Sequence, residues 1–211
     1  MRKIDKETWE RKEIYDFFSN ISNPFYMTSF IVDVTKLKKF VDKNNCSFYY
    51  SLVYLCNKTL SKIENFLYTC RNNEIYLIDE RMPSFTDRKP NSELFHIVSI
   101  PMSDNIVDFC KDAKELSINQ KCFLDTTKEN DSLAYYSCLP TLRLTALTNE
   151  MDIKNPNFKD DNIPRITWGR YEEHQGRLEL TISMEVNHCF IDGIHIERFA
   201  SLLELEINNL S

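Results

Sequence analysis

The 211-residue chain is 42% hydrophobic, 12% aromatic and 27% charged, with a formal net charge of -6 and only three glycines. These are the proportions of an ordinary globular protein, and they exclude global disorder. The acidic excess argues against nucleic-acid binding, which rests on neutralising phosphates, and Gly169, Gly176 and Gly193 lie too far apart for a phosphate-cradling or dinucleotide loop.

Taken in chain order, Glu7 to Phe18 predicts a helix with Trp9, Ile14, Phe17 and Phe18 on its inward face. Phe25 to Val34 is aromatic and β-branched and predicts a strand. A short helix follows from Thr35 through Leu37, Phe40 and Val41, and a longer one from about Ser47 to Glu64. Tyr68–Cys70 and Ile75–Ile78 read as a hairpin around Asn72-Asn73. Phe95 to Ile100 is a further strand. Asp104 to Leu116 is a helix with Ile106, Val107, Phe109 and Cys110 inward.

The second half is richer in strands. Ala134 to Leu147, Ile166 to Tyr171 and Leu178 to Asn187 are candidates, the last two joined by a turn near Gly176. Between residues 178 and 187 apolar Leu178, Leu180, Ile182, Met184 and Val186 alternate with polar residues, the mark of a strand with one covered face. After Gly193 the period changes to that of a helix, carried by Ile196, Phe199, Leu202, Leu203 and Leu205. Helices and a large sheet without regular βαβ alternation give an α/β (α+β) class. No linker, repeat or low-complexity block interrupts the chain, so we expect one domain over residues 1–211.

Seven cysteines fall at irregular spacings without a Cys-x-x-Cys, which argues against structural zinc and for buried free thiols in a reducing compartment. No apolar run approaches the roughly 18 residues needed to span a bilayer, and the N-terminus lacks a signal peptide's apolar centre. We therefore expect a cytoplasmic protein with no nucleic-acid, membrane or metal partner.

The segment that points to chemistry is Glu185-Val-Asn-His188-Cys-Phe-Ile-Asp192-Gly193. A long alternating strand ends at a histidine, a tight connection holds Asp192 and Gly193, and a helix follows. A neutral imidazole at a strand end is placed to take a proton from an alcohol or thiol. Asp192 caps or buttresses the turn, and Gly193 is expected to supply a backbone conformation closed to other residues. On these residues alone, a structural histidine and a plain N-cap remain open readings.

His188-Cys-Phe-Ile-Asp192-Gly193-Ile-His resembles the signature of the chloramphenicol acetyltransferase family, His-His-x-x-x-Asp-Gly-(Phe/Ile/Tyr)-His. Other segments resemble the family in the same order. They are Trp9-x-Arg11 with Phe17-Phe18, Asp33-Val-Thr35-Lys-Leu37, Phe48-Tyr49, Ser84-Phe85-Thr86 with Phe95, Ser137-Cys-Leu-Pro140, and Thr167-Trp-Gly-Arg170-Tyr171. The resemblance runs over nearly the whole chain. It implies a two-layer sandwich of a mixed sheet and helices, assembled as a homotrimer with its sites between subunits.

It also implies a reaction. His188 would be the general base that deprotonates an acceptor hydroxyl, which attacks the thioester of acetyl-CoA in a ternary complex, with no acyl-enzyme. Asp192 and Arg11 would be the buried pair that fixes the turn. Ser137 would donate to the developing oxyanion, and Thr167 would hold the intermediate through water. Arg170 and Tyr171 would bind the coenzyme, an arginine suiting its phosphate. Phe18, Phe25, Tyr26, Phe95 and Tyr135 would line the chloramphenicol pocket. Cys189 adjoins the base but is expected to be a core thiol rather than a nucleophile.

Several positions depart from the family pattern. Asn187 replaces the first histidine of the pair and is expected to be structural. Thr141 replaces a tryptophan, Tyr135 an asparagine, and Ser47 a lysine of some members. Three other readings follow: an acetyltransferase of this family with another hydroxyl acceptor, a dihydrolipoyl acyltransferase core, which usually travels with a lipoyl domain, and a ligand-binding trimer without catalysis.

Overall fold

The computed structural model describes residues 1–89, 91–155 and 157–211. In chain order the elements are β1 (Arg2–Lys3), α1 (Lys12–Ser19), β2 (Phe25–Asp33), α2 (Thr35–Asn44), α3 (Phe48–Leu60), β3 (Tyr68–Arg71), β4 (Glu74–Leu77), β5 (Met82–Arg88), β6 (Phe95–Ser99), α4 (Ile106–Asn119), β7 (Leu133–Cys138), β8 (Arg165–Trp168), β9 (Glu172–His174), β10 (Arg177–Asn187) and α5 (Gly193–Asn208). The main sheet runs β2-β10-β8-β7-β5-β6, with β9 hairpinned onto β10. Among the described strand pairs β5–β7 and β7–β8 are parallel and the rest antiparallel, so the sheet is mixed, as expected. A small sheet, β1-β4-β3, stands beside it.

β10 organises the molecule. It pairs with β2 over nine residues on one side and with β8 and β9 on the other. Its apolar row, Leu180, Ile182, Met184 and Val186, is fully buried in the same core as α2, α3 and α5. α3 is buried on nearly every side, which is why even its Ser51, Asn57 and Thr59 are inaccessible. Ser47 caps it, accepting from Tyr50 N. No helix among the described residues is long and apolar enough to cross a membrane.

The opposite row of β10 is covered as well, which the alternating pattern did not suggest. Ser183 Oγ accepts from Leu147 N (3.0 Å), a Glu185 oxygen accepts from Asn149 N (2.8 Å), and Asn187 Nδ2 donates to the Lys159 and Asp161 carbonyls. Residues 139–155 and 157–164 therefore lie across the second face. For the same reason the strand expected over Ala134 to Leu147 ends at Cys138. Pro140 has no N–H for a ladder, and the chain turns back with Leu142 N on Leu139 O. Gly169 permits the crossing, because a Cβ there would stand 2.5 Å from the Leu142 carbonyl oxygen.

Other departures have local causes. β5 was not anticipated, since Pro83 and its polar neighbours hide it in the sequence. α1 begins only at Lys12, and its inward residue is Tyr15, while Ile14 and Phe17 are exposed. Val107 and Leu205 also face outward. The long helix expected to Glu64 ends at Leu60 and gives way to a 3₁₀ turn over Glu64–Leu67. Of the cysteines, Cys56, Cys70, Cys110 and Cys189 are buried, Cys46 and Cys138 half-buried, and Cys122 is exposed.

Candidate active site

His188 is the first residue beyond β10. Its backbone N–H donates to the Pro24 carbonyl (2.9 Å), which fixes the chain where the strand stops. The imidazole stacks on Phe18 with ring centroids 3.9 Å apart and lies 4.4 Å from the Tyr26 ring. About a third of the side chain (32%) remains accessible. Burial pushes its pKa below the ordinary histidine value, outweighing the opposite pull of Asp192, with Arg11 adding to the downward shift. The ring is therefore uncharged near neutral pH and able to accept a proton.

The turn that carries it is clamped by Arg11, which is 8% exposed. Its guanidinium spans both Asp192 oxygens (2.5 and 2.6 Å) and also donates to the carbonyls of Cys189 (2.7 Å) and His188 (2.9 Å). One side chain thus closes four bonds on three residues of the turn, His188, Cys189 and Asp192. The hydrogen bonds and charge of Arg11 hold the Asp192 carboxyl below its ordinary value, against the opposite effect of burial. Asp192 opens α5, and its N–H donates to His195 Nδ1 (2.8 Å), so that nitrogen carries no proton. His188 Nε2 lies 3.6 Å from Asp192 Oδ1, too far for a good hydrogen bond. The carboxylate orients the turn rather than the ring.

Three neighbours complete this locus. Asn187 is fully engaged: its amide holds the 159–161 backbone and its Oδ1 accepts from Cys189 N (2.9 Å). Cys189 is buried, and its thiol is pushed up to about 12, so it holds no thiolate at neutral pH. It reaches the core from within the turn, not from the opposite face of a strand. Gly193 needs no left-handed backbone, contrary to expectation, and a Cβ there would meet open space.

A second locus lies on the sheet. Ser137 of β7, Thr167 of β8 and Ser183 of β10 are register partners in one row. Ser137 Oγ accepts from Thr86 Oγ1 (3.3 Å), and Thr167 Oγ1 is buried with no partner among the described residues. Beside them is a cavity of about 460 Å³ lined by Phe95, Phe123, Tyr135 and Ser137. The Tyr135 hydroxyl is spent on Glu129 (3.0 Å). Thr86 was quoted within the family-like Ser84-Phe85-Thr86 but given no role in the site, and nothing in the sequence around Glu129 marks that residue.

The two loci are well separated. His188 lies five residues beyond Ser183 along β10, and Ser137 two strands across. At ordinary strand rise and spacing this is about 20 Å. One chain therefore does not bring His188 and Ser137 together. Phe18 and Tyr26 belong to the histidine. Phe95 and Tyr135 belong to the cavity. Phe25 stands between, against Phe158 (6.3 Å) and the Arg165 guanidinium (6.0 Å). Arg170 and Tyr171 form a third group, an open surface hollow shared with Arg143 and Glu172. Glu172 contacts both arginines (2.5 and 3.6 Å), and Tyr171 packs 5.2 Å from Phe48 at the start of α3.

Known proteins share this arrangement of elements. A chloramphenicol acetyltransferase 3 of Escherichia coli is 29% identical over 210 residues, covering 96% of this chain and 94% of its own. A chloramphenicol acetyltransferase 2 of Haemophilus influenzae is 24% identical, covering 99% and 97%. A solved chloramphenicol acetyltransferase superposes with a TM-score of 0.88 over the whole of both chains at 23% identity. A dihydrolipoamide acetyltransferase (E2p) of Azotobacter vinelandii superposes at 0.69, with 17% identity over 93% and 86%. These two structural likenesses establish the fold. The profile of the chloramphenicol acetyltransferase family matches residues 1–204, from before the Arg11 clamp to within α5, and the chain belongs to that family of acetyltransferases.

Proposed function

We propose that the chain transfers an acetyl group from acetyl-CoA to a hydroxyl of chloramphenicol, as a homotrimer whose sites lie between subunits. The observation that carries this reading is the uncharged His188, held by Arg11 and Asp192 but separated from Ser137 within its own chain. In the trimer the histidine of one subunit would face the Ser137 cavity of the next.

The imidazole takes the acceptor's hydroxyl proton as the oxygen attacks the thioester carbonyl. The new C–O bond forms and charge moves to the carbonyl oxygen. Ser137 donates to that oxygen; because its own Oγ accepts from Thr86, its proton is free to point into the cavity. Collapse restores the carbonyl, breaks the C–S bond and expels the thiolate, which takes the proton back from the imidazolium. Thr167, whose buried hydroxyl has no partner among the described residues, suits a bridging water in the same row. Arg170 and Arg143 would hold coenzyme phosphate, with Glu172 yielding its partners to it. Tyr171 supplies an aromatic face and Phe18, Phe25 and Tyr26 the apolar rim. Thiol release from acetyl-CoA is the test. We expect release that depends on chloramphenicol and is lost in His188→Ala; equal release without an acceptor would reject the reading.

A further inference from the structure

Two of the seven cysteines face one cavity, away from both loci described above. Cys46 sits on the short connection between α2 and α3, just past Asn45, whose left-handed backbone (φ 51°) turns the chain out of α2. Its N–H donates to the Val41 carbonyl (3.0 Å), and the residue is half-buried. Cys110 lies on α4 and is 6% exposed. Its Sγ stands 3.3 Å from Ser51 Oγ and 3.8 Å from the carbonyl oxygen of Ser47, the residue after Cys46. The Cys46 thiol is a hydrogen-bonding neighbour of the Cys110 thiol. Both residues line a cavity of about 650 Å³, as do Lys111 and Lys114. Among the described residues no third His, Cys, Asp or Glu joins them in a cluster that could hold a metal. Cys56, Cys70 and Cys189 are also buried, but they do not line this cavity.

We propose that Cys46 and Cys110 form a reversible dithiol–disulfide site, oxidised by a small anionic disulfide, oxidised glutathione, that enters from this cavity. A disulfide needs its two Cβ atoms roughly 4 Å apart. The helix fixes Cys110, and Cys46, on a connection rather than in a helix, can make the small approach. Lys111 and Lys114 give the entry a positive charge that suits the carboxylates of glutathione. The cavity's Asp87 is already bonded to Tyr50 and Ser117. Cys46, the more accessible sulfur, reacts first. Its thiolate attacks one sulfur of oxidised glutathione, the S–S bond breaks, and one glutathione thiolate leaves. Burial pushes the Cys110 thiol up to about 11, so it attacks only a sulfur held beside it. That attack forms the Cys46–Cys110 bond and expels the second glutathione. Two protein thiols are oxidised, one glutathione disulfide is reduced to two thiols, and the two protons pass to them. The pair stays open while glutathione is reduced and closes as its oxidised form accumulates.

The full chain is incubated with oxidised glutathione until the exposed Cys122, the internal reporter of the oxidant, carries a glutathione. The reaction is then quenched in acid, free thiols are alkylated, and the peptides are mapped by mass. Cys46 and Cys110 should lose their thiols in equal amounts and appear as one joined peptide without glutathione. Dithiothreitol should return both thiols. In Cys110→Ser, Cys46 should stop at the mixed disulfide and hold one glutathione. In Cys46→Ser, Cys110 should stay reduced. This second variant changes a half-buried residue on a connection and keeps the test decisive should Cys110→Ser fold poorly. Cys46 and Cys110 both reduced once Cys122 is modified would overturn the proposal. So would glutathione retained on Cys46 of the wild type, or Cys110 joined to any other cysteine. Loss of the Cys110 thiol in Cys46→Ser to the wild-type extent would overturn it as well.

Discussion

At the scale of single residues, the chemistry turns on how one imidazole is kept neutral and still. His188→Ala removes proton transfer, so kcat should fall by at least 10²- to 10⁴-fold in the thiol-release assay. The melting temperature should move little, because a third of the ring is solvent-exposed. Asp192→Asn acts differently. It leaves the shape but removes the charge that Arg11 needs, and Arg11 is 8% exposed. With Asp192 itself partly accessible, the loss should be about 2–3 kcal/mol, read as a drop of several degrees in melting temperature. The same change removes the upward pull of Asp192 on the His188 pKa. The midpoint of kcat/KM against pH, already below the ordinary histidine value, should move lower still. The sign for stability follows from both groups. His188 has a lowered pKa in the fold, so the unfolded chain binds more protons and stability declines as pH falls below about 6.5. Asp192, also lowered, adds stability above about pH 4 that is lost on further acidification.

At the scale of elements, what the sequence revealed depended on whether a pattern was local. β10, α2, α5 and the Asn72-Asn73 hairpin were legible because their signals lie inside the element: strict alternation, helical spacing, a two-asparagine turn. β5 was illegible because a central strand beginning Met82-Pro83-Ser84 is held by its neighbours, not by its own propensity. The inward face of α1 was misjudged because Tyr15 packs on Phe190, 175 positions away. In the site, His188, Asp192 and Arg11 were legible through their resemblance to a family. Glu129 was not, because its partner lies on the far side of a loop and its own neighbours are polar. The crossing of the second face by residues 139–155 gives an element-scale prediction. Gly169→Ala places a methyl 2.5 Å from Leu142 O and 2.7 Å from Leu144 Cβ. The cover must lift from the second face of the sheet, costing about 1–3 kcal/mol. Because Gly169 follows Thr167 so closely, kcat should fall along with the melting temperature. An unchanged melting point would show that the segment is free to move.

At the scale of the whole molecule, the roughly 20 Å between His188 and Ser137 is the feature that one chain cannot bridge. If neighbours complete each site, two dead variants should rescue each other. His188→Ala chains keep a good cavity and Ser137→Ala chains a good base. Mixed one to one and reassembled, they should regain about a quarter of wild-type activity, since one site in four pairs the two intact halves in a random cyclic trimer. Sedimentation should give a particle about three times the 25.0 kDa chain. Failure to complement, with trimers formed, would mean that each chain uses its own two loci.

The Arg11 clamp also bears on how the protein is made. It joins position 11 to position 192, so the turn of His188 and the arginine that clamps it are synthesised 181 positions apart. Until Asp192 has been synthesised, that guanidinium has no carboxylate to meet, and contacts so distant in sequence close late in folding. The histidine is therefore set into place only after translation has passed Asp192, and products cut short before that residue cannot hold it.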